Sequence, residues 1–389
     1  MSQLPTITIP LSAPHLTGRE LGSLPELSPL DFLPLIPQFE TELCHKSGAT
    51  FALATPSGTA ALELSLRTLN VGPGDLVICP TLTFSATANA ILATGAMPVF
   101  VGSEPTTWGL DPGALETSLK RLTKRPKAII VVDLYGMPAH WVALQTVADQ
   151  HEIPLVADAA ESLGSWLDGR ACGTMGVLNA ISFNQNKIVT TLGGGTLMTD
   201  NSVLAAKARQ MANQGRQTES PFEQIVAGGN YRMNPIAAHF GICQLAVLAE
   251  RVAQRRAIFR QYQSALGELP GLCFQPERVG SISNRWLTAF TIDPVQTGAS
   301  CSQVAIALKE SGIETRPVFA LLHRQKAFEK CAFYGSLLAD ELARTGLCLP
   351  SGSGLSEEQI RRVIEVLRAC FTKKKRPVRT QAEDDTTND

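Results

Sequence analysis

IPLVADAA (153–160) is an apolar run that closes on an acid, and the next apolar run, NAISF (179–183), leads into SFNQNK (182–187). Apolarity without alternation is what a strand buried on both faces needs. Outward from this pair, FALAT (51–55), LVICP (76–80), MPVFV (97–101), AIIVVDLYG (128–136) and GTLMT (195–199) read as further strands. Helical patterns at residues 57–70, 85–94, 112–122, 141–151 and from 203 onward separate most of them. The alternation predicts an α/β fold, a mainly parallel sheet wrapped by helices. Ligands of such sheets gather beyond the carboxyl ends of the strands. Asp158 and the polar stretch ending at Lys187 are therefore the first places to look for chemistry.

Downstream, Ile236, Phe240, Leu245, Leu248, Val252 and Phe259 recur at near-helical spacing, which predicts one long helix over residues 236–267. WLTAFTID (286–293), SQVAIALKESG (302–312) and SEEQIRRVIEVLRACF (356–371) then alternate strand and helix patterns. We expect a large domain over residues 1–250 and a smaller α+β domain over 251–372. The tail KKKRPVRTQAEDDTTND (373–389) has almost no apolar residues and reads as a disordered extension.

Composition narrows the function. Lys and Arg total 34 against 35 Asp and Glu, so no global field favours nucleic acid or an anionic membrane. Any phosphate must be held by a local site. Of 389 residues 44% are hydrophobic, enough for one large core and a smaller one. The small and apolar stretch over residues 85–101 is broken by Asn89, Gly95 and Pro98 and does not suit a membrane span. The nine cysteines are scattered with no Cys-x-x-Cys pair, and the opening MSQLPTITIPLSAPH lacks the basic patch and apolar core of a secretion signal. Both lead us to expect a soluble, cytoplasmic protein with reduced thiols and no metal site.

Several residues could carry chemistry. A lysine at the end of a buried strand, as Lys187 is, can be desolvated enough to lose its proton and attack an aldehyde, although most lysines are plain surface charges. Asp158 suits either a charge partner for a cationic ring nitrogen or the cap of a following helix. Glu161 suits a capping box or a ligand-facing carboxylate. Ser57, Gly58 and Thr59 open a helix, where amides and hydroxyls attract an anion or simply cap the helix. Phe84, at a strand-to-helix turn, could stack on a flat ring or belong to the core. The Gly193–Gly195 run has no Lys-Ser/Thr after it and is not a nucleotide P-loop.

In order, these pieces resemble the DegT/DnrJ/EryC1/StrS family of sugar aminotransferases. The resemblance runs through PLSAPHLTGREL (10–21), FALATPSGTAALELSLRTLNVGPGD (51–75), CPTLTFSATANAILATGAMPVFV (79–101), DLYGMPA (133–139), VADAAESLGSWLDGRACGTMG (156–176), SFNQNKIVTTLGGGTLMTD (182–200) and GGNYRMNPIAAHFGICQL (228–245). It implies the type I pyridoxal-phosphate (PLP) aminotransferase fold and a homodimer with sites at the subunit interface. Lys187 then resembles the lysine that bonds to pyridoxal 5′-phosphate, and Asp158 the partner of its ring nitrogen. Ser57, Gly58, Thr59 and Ser182 resemble phosphate contacts, Phe84 the stacking aromatic, and Glu161 a neighbour of the ring. Asn230 resembles the residue that reaches the phosphate from the other subunit, and Arg232 nearby suits that role or the interface.

Within the family, SFNQNK is similar to the Ser-Phe-Asn-Gly-Asn-Lys signature of enzymes acting on UDP-linked 4-keto-6-deoxy N-acetylhexosamines. Gln185 departs from it, as do Asp133 where histidine is frequent, and Ala320 and Leu322 in RPVFALLH (316–323) where Lys and Met are frequent. The resemblance implies amino transfer from a donor such as L-glutamate to a nucleotide-sugar, in surface polysaccharide or glycoconjugate synthesis. A lysine rather than histidine at 187 sets the chain apart from the family's sugar dehydratase. A regulator or inactive scaffold that keeps the cofactor fold is the alternative reading.

Overall fold

The computed structural model describes residues 6–216 and 223–372; the charged tail from residue 373 lies outside the described residues. The first half runs α1 (Arg19–Gly22), α2 (Leu35–Ser47), β1 (Phe51–Thr55), α3 (Gly58–Thr68), β2 (Leu76–Pro80), α4 (Ala86–Ala93), β3 (Met97–Val101), α5 (Pro112–Arg121), β4 (Ala128–Val132), α6 (Trp141–Gln150) and β5 (Leu155–Asp158). A hairpin of β6 (Trp166–Leu167) and β7 (Arg170–Ala171) precedes β8 (Leu178–Ser182), β9 (Gly195–Thr199), α7 (Ser202–Ala212), α8 (Pro235–Ala246) and α9 (Leu248–Leu266). The remainder runs β10 (Leu272–Phe274), β11 (Ser281–Ile282), β12 (Thr288–Ile292), α10 (Pro294–Thr297), α11 (Cys301–Glu310), β13 (Arg316–Pro317), β14 (Phe333–Tyr334), α12 (Leu338–Thr345), β15 (Gly346–Leu349) and α13 (Glu357–Thr372).

The main sheet has eight strands in the order β1-β9-β8-β5-β4-β2-β3-β14 and is parallel except around β9, which runs antiparallel to β1 and β8. This is the α/β architecture expected. Neighbouring residues bury opposite faces: Val77, Ile130 and Val132 enter one core cluster, while Ile78, Ile129 and Val131 enter another. The register brings Val132 beside Asp158, Asp158 beside Ala180, and both Ser182 and Thr55 beside Gly195. The carboxyl ends of β1, β5 and β8 therefore meet at one edge.

A second, antiparallel sheet, β10-β12-β15-β13, packs Phe290, Ile292, Leu347 and Leu349 against Tyr262 of α9, Val304 of α11 and Val363 of α13. Ile9 bridges to Ile313 and joins this core, and β14 pairs with β3 of the main sheet. The chain thus crosses between the two sheets more than once.

Two expectations need correction. The helix over residues 236–267 is two helices, with a 63° bend at Val247 between α8 and α9. The two halves bury into different cores, Ala238 and Leu245 beside α2 and Ile258, Phe259 and Tyr262 beside the small sheet, and a continuous apolar period does not report a change of axis. The strand over residues 128–136 ends at Val132. Leu134–Gly136 is a tight turn with Tyr135 in the left-handed region. No single helix among the described residues is long and apolar enough to cross a membrane, and no disulfide joins any of the cysteines among those residues.

Candidate active site

A cavity of about 190 Å³ opens at the carboxyl edge of the main sheet. Its rim begins at β1, where the chain turns into α3. Ser57 is extended and caps the helix, its hydroxyl accepting the Ala60 N–H at 3.1 Å. The backbone then passes so close to β8 that a Cβ on Gly58 would lie 2.8 Å from the Ser182 Cβ, which restricts the position to glycine. This packing sets Ser57, Gly58 and Thr59 beside Ser182 on the cavity wall.

Lys187 enters from the loop after β8. The loop closes on itself, with Phe183 N–H on Gly194 O at 2.9 Å and Thr191 N–H on Phe183 O at 3.0 Å. Just before the lysine, Asn186 O accepts the Trp286 indole N–H and the Ser12 hydroxyl, each at 2.8 Å. Arg255, buried, donates to Trp286 O and to Ser12 Oγ. With its backbone held from both sides, Lys187 extends into the cavity with 12% of its side chain exposed. Its Nζ lies 3.6 Å from Glu161 Oε1 and 3.9 Å from the centre of the Trp286 ring. Burial pushes the amine below the usual lysine range, while the charges of Glu161 and Asp158 pull it back up.

Asp158 ends β5 and is buried. Its Oδ2 accepts the Thr87 hydroxyl at 2.7 Å, Thr87 meets Thr83 at 3.0 Å, and Oδ1 accepts the Ala160 N–H at 3.3 Å. Burial raises this carboxyl against those hydrogen bonds and the nearby Lys187. A cation placed beside a buried carboxyl favours its charged form. Glu161 sits in a turn rather than a helix, so the capping-box alternative does not hold. Its Oε2 accepts the Tyr135 N–H at 2.7 Å, and burial raises its carboxyl too, with Lys187 opposing.

The cavity thus collects eight of the nine positions singled out in the sequence: Ser57, Gly58, Thr59, Phe84, Asp158, Glu161, Ser182 and Lys187. Phe84 is 55% exposed, so it belongs to the rim and not to the core. Asn230 does not line the cavity of its own chain. It is exposed, bridges to Asn213 and accepts from Arg232 Nε at 3.2 Å. Trp286, Arg316 and Phe319 also line the cavity and were not singled out. They come from the second half of the chain, in WLTAFTID and RPVFALLH, stretches that the strand pattern and the departures at Ala320 and Leu322 had marked without a role. Asp133, Gln185, Ala320 and Leu322 do not line it. Asp133 is buried behind the wall, accepting the Ala139 N–H, the Trp141 indole N–H and the Ser162 hydroxyl at 2.8–2.9 Å.

These groups fit a phosphorylated pyridine aldehyde: a deprotonable buried amine, a buried carboxylate across the cavity, and the N-terminus of an eleven-residue helix flanked by hydroxyls. Among the described residues, no cluster of His, Cys, Asp or Glu is placed to hold a metal ion.

Comparison with known proteins agrees with this reading. Residues 32–368 match the DegT/DnrJ/EryC1/StrS aminotransferase family. EpsN of Bacillus subtilis (strain 168), which bears the name of a pyridoxal phosphate-dependent aminotransferase, is 43% identical, covering 93% of this chain and 95% of its own. GDP-perosamine synthase of Caulobacter vibrioides is 35% identical, covering 94% and 99%. The crystal structure of DesI in the presence of its TDP-sugar product superposes with a TM-score of 0.86 at 30% identity, covering 96% and 94%. The chain belongs to the DegT/DnrJ/EryC1/StrS aminotransferase family, and its cofactor is pyridoxal 5′-phosphate.

Proposed function

We propose, from membership of this family, that the protein moves an amino group from an amino acid, L-glutamate, to the ketone of a nucleotide-linked sugar. The observation that carries the reading is Lys187: a buried amine between Glu161 and Trp286, facing the Ser57–Thr59 helix start across one cavity. Ser57, Gly58, Thr59 and Ser182 would hold the cofactor phosphate and Phe84 would pack on its ring. Asp158 would pair with the ring nitrogen, with Glu161 as a neighbour of the ring. Bound there, pyridoxal phosphate supplies an electron-withdrawing ring that stabilises negative charge on the carbon next to the amine. Lys187 Nζ, once released, takes the proton from the donor's α-carbon and in the second half-reaction delivers one to the sugar carbon. Asp158 would favour the protonated form of the ring nitrogen.

The sugar is a UDP-linked 4-keto-6-deoxy N-acetylhexosamine, used in surface polysaccharide or glycoconjugate synthesis in the cytoplasm. SFNQNK supports this choice. Relatives named for GDP-perosamine and for a TDP-sugar product support the broader class of nucleotide-sugars. The working unit is a homodimer in which Asn230 of each chain completes the phosphate site of the other, consistent with its exposed position away from its own cavity. The test loads the protein with the amino form of the cofactor and offers UDP-, GDP- and TDP-linked keto-sugars in turn. Return of the aldehyde-form absorbance with the UDP-linked N-acetyl sugar is expected; return with none of the panel overturns the reading.

A further inference from the structure

Tyr135 is a bulky residue held in the left-handed region, φ 57° and ψ 20°. Such a conformation persists only where its surroundings over-determine it. Here they do. Asp133 anchors the start of the turn through the three bonds described above, and Gly136 O accepts the hydroxyls of Ser165 at 2.7 Å and Ser283 at 2.9 Å.

The strained turn makes three contacts toward the cavity. The Tyr135 N–H holds Glu161. Its ring stacks between Phe319, with centroids 5.3 Å apart, and Trp286, at 6.5 Å. Its hydroxyl, buried with the ring, accepts the backbone N–H of Phe319 at 3.0 Å, 184 residues away in sequence. Phe319 in turn meets Phe84 at 5.8 Å on the rim. The segment that carries Arg316 and Phe319 leaves the small sheet at Val318, whose N–H bonds Gly346 O at 3.1 Å, and reaches the main sheet at Leu322, whose N–H bonds Thr81 O at 3.0 Å. Between those two anchors, Phe319 lines the cavity and Tyr135 is what it leans on.

We propose that Tyr135 is a positioning residue, a latch that holds the Arg316–Phe319 segment as the outer wall of the lysine cavity in register with Glu161. The wall faces the incoming substrate, so the latch acts on substrate binding more than on the proton transfers at Lys187; that consequence rests on the proposed function.

Tyr135→Phe keeps the ring and the backbone N–H and deletes the hydroxyl, which is the acceptor for the Phe319 N–H and also hydrogen-bonds Cys348. Amide hydrogen exchange at Phe319 should then quicken about tenfold, with the amide at position 135 still protected. With the keto-sugar that the wild type accepts, KM should rise about tenfold and kcat stay within about twofold, a split expected when ground-state and transition-state binding fall together. Phe319→Ala removes the ring but leaves the N–H on the Tyr135 hydroxyl; it should raise KM likewise without faster exchange at that amide. Unchanged exchange at Phe319 in Tyr135→Phe, or a fall in kcat with KM unmoved, overturns the latch. If Tyr135→Phe does not fold, the wild type decides: its Phe319 amide should be as protected as those of Gly346–Leu349, and exchange at the rate of a free loop overturns the proposal. Failure of every keto-sugar to react would remove the proposed function, while the exchange measurement would still decide the latch.

Discussion

Lys187 Nζ stands 3.6 Å from Glu161 Oε1, and both groups are buried, so each is pushed toward its neutral form by lost hydration and held back by the other's charge. Lost hydration and mutual attraction are thus set against each other in this pair. That opposition suits a lysine that must be a nucleophile at one moment and a proton carrier at the next.

Glu161→Gln removes the charge that raises the Lys187 amine and leaves the burial that lowers it. The amine then loses its proton at lower pH. The rate at which cofactor-free protein takes up pyridoxal phosphate, followed against pH, should show its rising limb moved to the acid side. A limb that stays in place or moves to the alkaline side would contradict the pairing.

Asp158→Asn should keep pyridoxal phosphate bound, because the helix start and the lysine remain, but slow proton transfer about a hundredfold through loss of a fixed charge. Single-turnover rates with the amino donor measure this. Rates equal to the wild type would leave Asp158 a structural residue that only organises Thr87 and Ala160.

Asp133→Ala strands the buried donors of Ala139, Trp141, Ser162 and Cys172 and should cost about 3–5 kcal/mol of unfolding free energy. Asp133→Asn keeps an acceptor there and should cost less. Urea unfolding of both variants checks the order; equal stability in Asp133→Ala and wild type would show that the cluster holds nothing.

Mixing inactive Lys187→Ala chains with inactive Asn230→Trp chains tests the shared site. A heterodimer would hold one site with both lesions and one with neither, so equal random mixing should restore about a quarter of wild-type activity per site. Heterodimers that form but recover no activity would place Asn230 within its own site or outside any.

Much of this was legible in the sequence, and the part that was not has a physical pattern. The buried strands of the main sheet show because their apolar runs are continuous, and FALAT, LVICP and MPVFV match β1, β2 and β3 end for end. Lys187, Asp158 and Ser57 show because each lies at the end of a strand or in the loop that leaves it. The bend at Val247 does not show, since both helices keep an apolar stripe through it. Trp286, Arg316 and Phe319 do not show either: they reach the cavity through the packing of one sheet on another, and Tyr135 meets Phe319 only through a turn that a strand pattern conceals. The pairing of Phe333 and Tyr334 with β3 is of the same kind, a two-residue strand too short to carry a period.

The proposed chemistry depends most on Lys187 as the residue that carries the cofactor. Borohydride reduction of the pyridoxal-phosphate-loaded protein fixes the cofactor to whichever amine holds it, and digestion with mass spectrometry then locates the adduct. A single pyridoxyl adduct on Lys187, and none in Lys187→Ala, is expected. An adduct on another lysine, or one that persists in Lys187→Ala, would contradict it.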